Sequence, residues 1–226
     1  MIWIAISTLV YGILCLLSRI VSEKAALQFA KWWLLHISFF SGCKMKLHNL
    51  DKLNPGAHYI FLANHQSVFD IIALYLSLPY RLSFIAKKSL FVIPLFGWGM
   101  AAIGHIAIDR GNPMKARKSI EKACTIIREK KRSIFAFPEG TRSKTGEMGE
   151  FKLGIFNLAL QAGVDIVPVT LNGTRQILPK NSYFIRPGTV DIILHAPISV
   201  KDYQKSEKMK LADLTRETIL RDLQTT

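Results

Sequence analysis

His65 and Asp70 stand five residues apart in the run Asn64-His65-Gln66-Ser67-Val68-Phe69-Asp70. A histidine paired with a carboxylate is equipped for general-base work, because the carboxylate fixes the imidazole tautomer and stabilises the imidazolium that forms. The spacing constrains how the two can meet. On one continuous helix, side chains five apart point about 140° away from each other. The pair forms only if His65 lies in a loop and Asp70 comes round from the first turns of a following helix. The same spacing also fits a loop histidine followed by an unrelated helix-start aspartate. No covalent nucleophile accompanies them: the chain has no Gly-x-Ser-x-Gly elbow, and Ser67 reads as the N-cap of the helix that follows. The chemistry indicated is direct activation of a substrate hydroxyl, without an acyl-enzyme.

Further along, Phe137-Pro138-Glu139-Gly140-Thr141-Arg142-Ser143 sets a glycine beside Thr141 and Arg142. Such a turn lets backbone approach an anion closely while a guanidinium grips phosphate with two bonds. Glu139 is placed to orient that arginine, although a tight turn with a surface ion pair uses the same residue types. Ile106-Ala107-Ile108-Asp109-Arg110-Gly111 also ends in an arginine. Ile166-Val167-Pro168-Val169-Thr170 reads as a buried strand whose proline implies an edge or a strand end. His36, His48, His58, His105 and His195 have no carboxylate at comparable spacing and read as structural or incidental.

The elements that must hold these residues follow from hydrophobic patterning. Short apolar runs at 58–63, 82–86, 106–108, 133–137, 166–170 and 190–195 alternate with helical patterns. This predicts an α/β domain, a mixed sheet flanked by helices. The His/Asp, Arg110 and Glu139/Arg142 segments each follow a predicted strand, where open α/β sheets build their sites. Asn112-Pro113 looks like a helix start, and Ala116, Ile120, Ala123 and Ile127 recur along one face of that helix. Its Lys115, Arg117, Lys118, Lys122 and Arg128 read mainly as a solvated face. Two more helices are predicted over 151–162, closed by Gly163, and over 205–223.

Ahead of this domain, residues 1–17 carry no charge, and a second apolar stretch over 25–40 is interrupted only by Lys31. A secretory signal would open with a positive region and end in a small-residue cleavage site, and neither occurs. A full span needs about 20 apolar residues, so the first stretch is marginal and the second short. The pattern predicts a hydrophobic two-helix membrane-docking element over 1–42 that dips into one leaflet, followed by the α/β domain over 43–226. One tilted transmembrane helix, or helices packed on the domain, are the alternatives. Half of the residues are apolar and mean hydropathy is +0.22, which excludes a disordered protein. Thirty Lys and Arg against 16 Asp and Glu give a formal charge of +14. That excess favours polyanionic partners, and combined with so much hydrocarbon it tilts toward an anionic membrane surface. Nucleic acid is disfavoured, because no basic platform interleaved with aromatics is present. Cys15, Cys43 and Cys124 form no Cys-x-x-Cys pair, so neither a disulfide framework nor a zinc site is indicated.

Taken together and in order, NHQSVFD, IAIDRG, FPEGTRS and VPVT resemble the four motifs of the glycerolipid acyltransferases, most closely the bacterial 1-acyl-sn-glycerol-3-phosphate (lysophosphatidic acid) acyltransferases. The resemblance implies an enzyme, a 1-acylglycerol-3-phosphate O-acyltransferase, that makes phosphatidic acid at the cytoplasmic face of the inner membrane, with no cofactor or metal. It implies acyl-CoA or acyl carrier protein as donor, a lysophospholipid as acceptor, and contact with the lipid bilayer. His65 is then the general base and Asp70 its partner. Glu139, Gly140, Thr141 and Arg142 help form the acceptor site, with Arg142 facing phosphate, and Arg110 is a further phosphate ligand. Pro168 shapes the acyl-binding wall. Of the lysines at Ala86-Lys87-Lys88, Lys87 is favoured for stabilising the oxyanion. Another acceptor, glycerol-3-phosphate or a lyso-aminolipid, and a non-catalytic basic membrane-binding module remain as alternatives.

Overall fold

The computed structural model describes residues 2–109 and 113–224. It opens with two antiparallel helices, α1 (Ile2–Val21) and α2 (Glu23–Phe40), separated by Ser22. The Ser22 hydroxyl accepts the Lys24 N–H at 3.1 Å and so caps α2. Helix α1 continues past the uncharged stretch because Arg19 is satisfied by protein: its Nε donates to the Ala102 carbonyl at 2.8 Å.

One side of the hairpin packs on the domain. Leu34 and Ile37 of α2 belong to the same buried cluster as the sheet residues Phe61 and Phe135, with Trp3 and Ile4 of α1 against it. The other side is bare hydrocarbon. Ile2, Ile6, Leu9, Ile13 and Leu17 recur at helical spacing and are all exposed. With a mean hydropathy of 2.1 and only 11% burial, α1 is long and apolar enough to cross a membrane by length and composition. The hairpin turn is tied down by charge. Arg81 Nη2 donates to Glu23 Oε1 at 2.6 Å, and Arg132 Nη2 pairs with the same oxygen. Arg132 is only 1% exposed, and its Nη1 donates to Ser83 Oγ and to the Ile103 carbonyl, at 3.1 and 2.6 Å. A buried guanidinium is tolerable only when paired and hydrogen-bonded in this way.

The remaining elements follow in the order β1 (Cys43–His48), β2 (Ile60–Ala63), α3 (Phe69–Ser77), β3 (Leu82–Lys87), α4 (Phe96–Ala102), β4 (Ile106–Ile108), α5 (Pro113–Lys130), β5 (Ser133–Ala136), α6 (Gly154–Ala162), β6 (Ile166–Asn172), α7 (Thr174–Ile177), β7 (Gly188–Leu194) and α8 (Lys208–Arg221). Among the described residues seven strands form one sheet, ordered β1-β7-β6-β2-β5-β3-β4. It is mixed: β6 and β7 are antiparallel, whereas β2, β3, β4, β5 and β6 run the same way. The central strands β2, β5 and β6 are buried at every residue, as expected for strands covered on both faces. One face carries α3 and the hairpin, the other α5, α6 and α8.

The α/β class and mixed sheet match the sequence reading, with four differences. The edge strand β1, helix α4 and the short helix α7 were not expected. Within α4, a Cβ at Gly97 would lie 2.5 Å from the backbone of Leu90 and Phe91, so only glycine fits. Strand β6 is interior and Pro168 lies within it, whereas the proline implied an edge or a strand end. The proline is tolerated because the β7 ladder begins one residue later, at Val169. Its carbonyl accepts the His195 N–H at 3.1 Å, so in extended backbone its nitrogen faces that same side, beyond the end of β7. The helix start expected at Asn112 lies outside the described residues.

Candidate active site

Because β2, β3, β5 and β6 are parallel, their carboxyl ends share one edge of the sheet, and the sequence motifs arrive there together. The β2 strand ends at Ala63, and Asn64 then anchors the next loop. Its Nδ2 donates to the Leu171 carbonyl at 2.9 Å, and its Oδ1 accepts the Leu171 N–H at 2.8 Å. His65 follows in the loop and Asp70 lies in the first turn of α3, the geometry the spacing required. His65 Nδ1 donates to Asp70 Oδ2 at 2.7 Å. The same oxygen accepts the backbone N–H of Gln66 at 2.7 Å and of Ser67 at 2.8 Å. Three donors thus converge on one buried oxygen, with Asp70 fully buried and the His65 side chain 15% exposed. With Nδ1 occupied by the carboxylate, Nε2 is the nitrogen left to act as an acceptor. The imidazole lies flat on Phe137, with centroids 3.9 Å apart and planes 8° apart.

Ser67 differs in detail from a simple cap. Val68 occupies the N-cap position, while the Ser67 hydroxyl accepts the Phe69 N–H at 3.2 Å and donates to the Leu178 carbonyl at 2.8 Å.

The Pro138–Ser143 turn is stitched to the histidine. Glu139 Oε1 accepts the His65 N–H at 2.7 Å, and Oε2 accepts the Gly149 N–H at 3.0 Å. The Ser143 N–H donates to the His65 carbonyl at 2.8 Å. Glu139 therefore holds the backbone of His65 in place of orienting Arg142, which corrects the sequence expectation. Burial pushes its carboxyl above the usual range, opposed by those two N–H donors. Gly140 turns the chain at φ 72°, a conformation costly for other residues. Thr141 is exposed and Arg142 half-buried. Among the described residues the Arg142 guanidinium has no hydrogen bond or ion pair, so it is open to an anion. Its backbone carbonyl accepts Lys180 Nζ at 2.6 Å, and Thr141 Oγ1 accepts the same ammonium at 3.3 Å.

Lys87 ends β3 and is exposed, whereas Lys88 faces Asp109 at 3.8 Å. Of the two lysines, Lys87 is thus the one with no ion pair among the described residues. Arg110 lies outside the described residues. Pro168 is buried in the sheet and does not line the apolar cavity beside the site. That cavity, of about 300 Å³, lies between the hairpin, α3 and α4, and its wall includes Val68 and Phe69 just beyond the histidine, with Trp33, Tyr75, Gly99 and His105 further along. Burial holds His105 neutral, with its pKa pushed down to about 3, and pushes the Tyr75 phenol up to about 12.

Sequence reasoning missed Asn64, Gln66, Phe137 and Lys180. The first three sit inside the motifs and differ only in acting as scaffold. Gln66, for example, donates to the Gly146 carbonyl at 2.7 Å. Lys180 stands in a segment with no local pattern. Of the other histidines, His48 Nε2 meets Asp191 at 2.9 Å across the β1–β7 pair, and His195 Nε2 lies 2.9 Å from Thr170 Oγ1.

The parallel α/β edge thus presents a carboxylate-paired histidine on a loop hydrogen-bonded to the turn that carries Arg142. Residues 44–172 match the Acyltransferase family model, and the chain belongs to that family. It is 40% identical over 171 residues to the chloroplastic 1-acyl-sn-glycerol-3-phosphate acyltransferase LPAT1 of Arabidopsis thaliana, covering 75% of this chain and 47% of that protein. A 1-acyl-sn-glycerol-3-phosphate acyltransferase of Salmonella typhimurium is 34% identical over 153 residues, covering 68% and 62%. The chain spans about half the length of the plant relatives it matches. The crystal structure of the 1-acyl-sn-glycerophosphate acyltransferase PlsC from Thermotoga maritima superposes with a TM-score of 0.79 at 25% identity, covering 94% of this chain and 87% of that one.

Proposed function

We propose that this protein transfers a fatty acyl group from acyl-CoA or acyl carrier protein to the sn-2 hydroxyl of 1-acylglycerol-3-phosphate, giving phosphatidic acid. The observation that carries the reading is the His65 Nδ1–Asp70 Oδ2 bond, which leaves Nε2 as a base beside a turn with an unpaired arginine. His65 Nε2 takes the proton of the acceptor hydroxyl as its oxygen attacks the thioester carbonyl carbon. The carbonyl oxygen becomes an oxyanion, which Lys87 stabilises. The intermediate collapses by breaking the carbon–sulfur bond, and the imidazolium returns its proton to the departing thiolate. Asp70 stabilises the imidazolium between these events.

Arg142, with Arg110, binds the acceptor phosphate, and Gly140 and Thr141 let it approach the turn. Glu139 acts through the His65 backbone. The apolar cavity receives an acyl chain, because its wall is hydrocarbon and includes Val68 and Phe69, just beyond the histidine. The hairpin over 1–42 docks in one leaflet through the bare face of α1, beside the domain over 43–226, at the cytoplasmic face of the inner membrane. Both lipid substrate and lipid product then stay at the interface.

The test is thiol release from acyl-CoA against a panel of acceptors: 1-acylglycerol-3-phosphate, glycerol-3-phosphate and a lyso-aminolipid. Release is expected with the first, and Arg142→Ala should raise the acceptor KM more than the donor KM. Equal rates with an acceptor lacking phosphate, or equal KM changes for both substrates, would overturn the assignment.

A further inference from the structure

Between α7 and β7 the chain presents two aromatic side chains to solvent. Tyr183 is 77% and Phe184 81% exposed. Large aromatics side by side at a loop tip are characteristic of interaction surfaces, since they forgo the burial that normally stabilises them. The loop has a built base. The Phe184 N–H donates to Ser182 Oγ at 3.1 Å, the Ser182 N–H to the Pro179 carbonyl at 3.1 Å, and the Arg186 N–H to the Ile177 carbonyl at 2.9 Å. These bonds set the rings outward.

We propose that this loop is a second lipid-contacting element, which inserts Tyr183 and Phe184 into an anionic bilayer and sets the acceptor turn at the membrane surface. The proposal rests on the membrane reading of the hairpin and extends it to a separate part of the chain. Two observations select a bilayer as the occupant. First, the loop is continuous with the hairpin: Tyr183 and Phe184 share a surface cavity with Trp3 at the start of α1 and Phe40 at the end of α2. The aromatic tip thus adjoins the end of the hairpin where α1 begins and α2 finishes, with Phe40 64% exposed beside it. Second, the charge is one-sided: residues 173–188 contain Arg175, Lys180 and Arg186 and no Asp or Glu. Aromatic rings flanked by cations suit the headgroup region of an anionic leaflet.

The inner side of the loop reaches the site. Lys180 holds the carbonyl of Arg142, and the Leu178 carbonyl receives the Ser67 hydroxyl. Leu178 and Ile185 also line the apolar cavity. A lipid leaving the bilayer at this loop therefore meets the phosphate-binding turn and the acyl cavity without crossing water.

The experiment compares the full chain with the double variant Tyr183→Ser/Phe184→Ser. Both are mixed with vesicles of phosphatidylcholine alone or with phosphatidylglycerol added, and binding is read by co-sedimentation. The variant should keep its melting temperature and lose about tenfold or more in affinity for the anionic vesicles, the scale expected when two rings no longer leave water. Turnover of 1-acylglycerol-3-phosphate presented in vesicles should fall with it, while a short-chain acceptor dissolved as monomers is turned over as before. Unchanged vesicle affinity would overturn the proposal, as would an equal loss with both acceptors. Size-exclusion with light scattering covers the competing occupant: a wild-type dimer that the substitutions dissociate would assign the patch to a second copy and refute the lipid contact. Wild type that ignores both vesicle types would refute the hairpin reading as well.

Discussion

Asp70→Asn separates the charge of this residue from its role as an anchor. In the native site His65 Nδ1 and the N–H groups of Gln66 and Ser67 all converge on Oδ2, while Oδ1 is buried with no partner among the described residues. An asparagine therefore places its carbonyl oxygen where the three donors point and its NH₂ where nothing was bonded. The imidazole keeps its orientation and tautomer, but the negative charge is gone when the imidazolium forms. Two unit charges about 4 Å apart at an effective dielectric near 20 attract by about 4 kcal/mol. Losing most of that from the transition state corresponds to about a 10²–10³-fold fall in kcat. The acceptor KM should hardly change, because Asp70 is fully buried and does not reach substrate. Stability should fall by only about 1–3 kcal/mol, the cost of an unpartnered buried NH₂, offset in part by removal of a buried charge. The assay is thiol release at saturating acyl-CoA and 1-acylglycerol-3-phosphate, run beside urea unfolding. A folded Asn variant with kcat within about threefold of wild type would refute electrostatic stabilisation of the imidazolium, since an effective dielectric near 20 cannot yield so small a change.

Two further outcomes are expected from single substitutions. Glu139→Ala leaves the N–H groups of His65 and Gly149 without their acceptor, and should cost about 2–4 kcal/mol in urea unfolding, with a parallel loss of turnover. Turnover at the wild-type level would mean that the His65 loop holds itself without Glu139. His105 makes the fold acid-sensitive. Burial depresses its folded pKa to about 3, below that of the unfolded chain near 6.5. Between those values the unfolded chain takes up a proton that the folded one refuses, so stability falls as pH drops through the window, by at most about 1.4 kcal/mol per pH unit. His105→Phe should flatten that part of the urea-unfolding profile, and an unchanged slope would assign the acid sensitivity to other groups.

The chemistry was legible where it depends on residue type and short spacing. That His65 must lie in a loop and Asp70 in a first helical turn follows from helix geometry, and the 2.7 Å contact has that form. The central strands were legible because burial on both faces demands unbroken apolar runs, as in Ile60–Ala63. Strand β1 carries a weaker signal: Cys43, Met45 and Leu47 alternate with the exposed Lys44, Lys46 and His48, a period of two that a search for apolar runs passes over. Helix α4 gives no signal, since Gly97 and Gly99 argue against a helix, and Gly97 is required by close packing instead.

By itself, the sequence determined the fold class, the family motifs and the uncharged apolar stretch that forms α1, because each is written in neighbours a few residues apart. Only the tertiary structure decided who meets whom across long separations. Glu139 turns to the backbone of His65, 74 residues earlier, and away from Arg142, three residues on. Lys180 reaches the Arg142 carbonyl from 38 residues away, and a proline-bearing strand sits inside the sheet because its neighbour ends in time. Such pairings depend on strand order and on which loops share an edge. Those are set by how the whole chain buries its hydrocarbon, which no local period encodes.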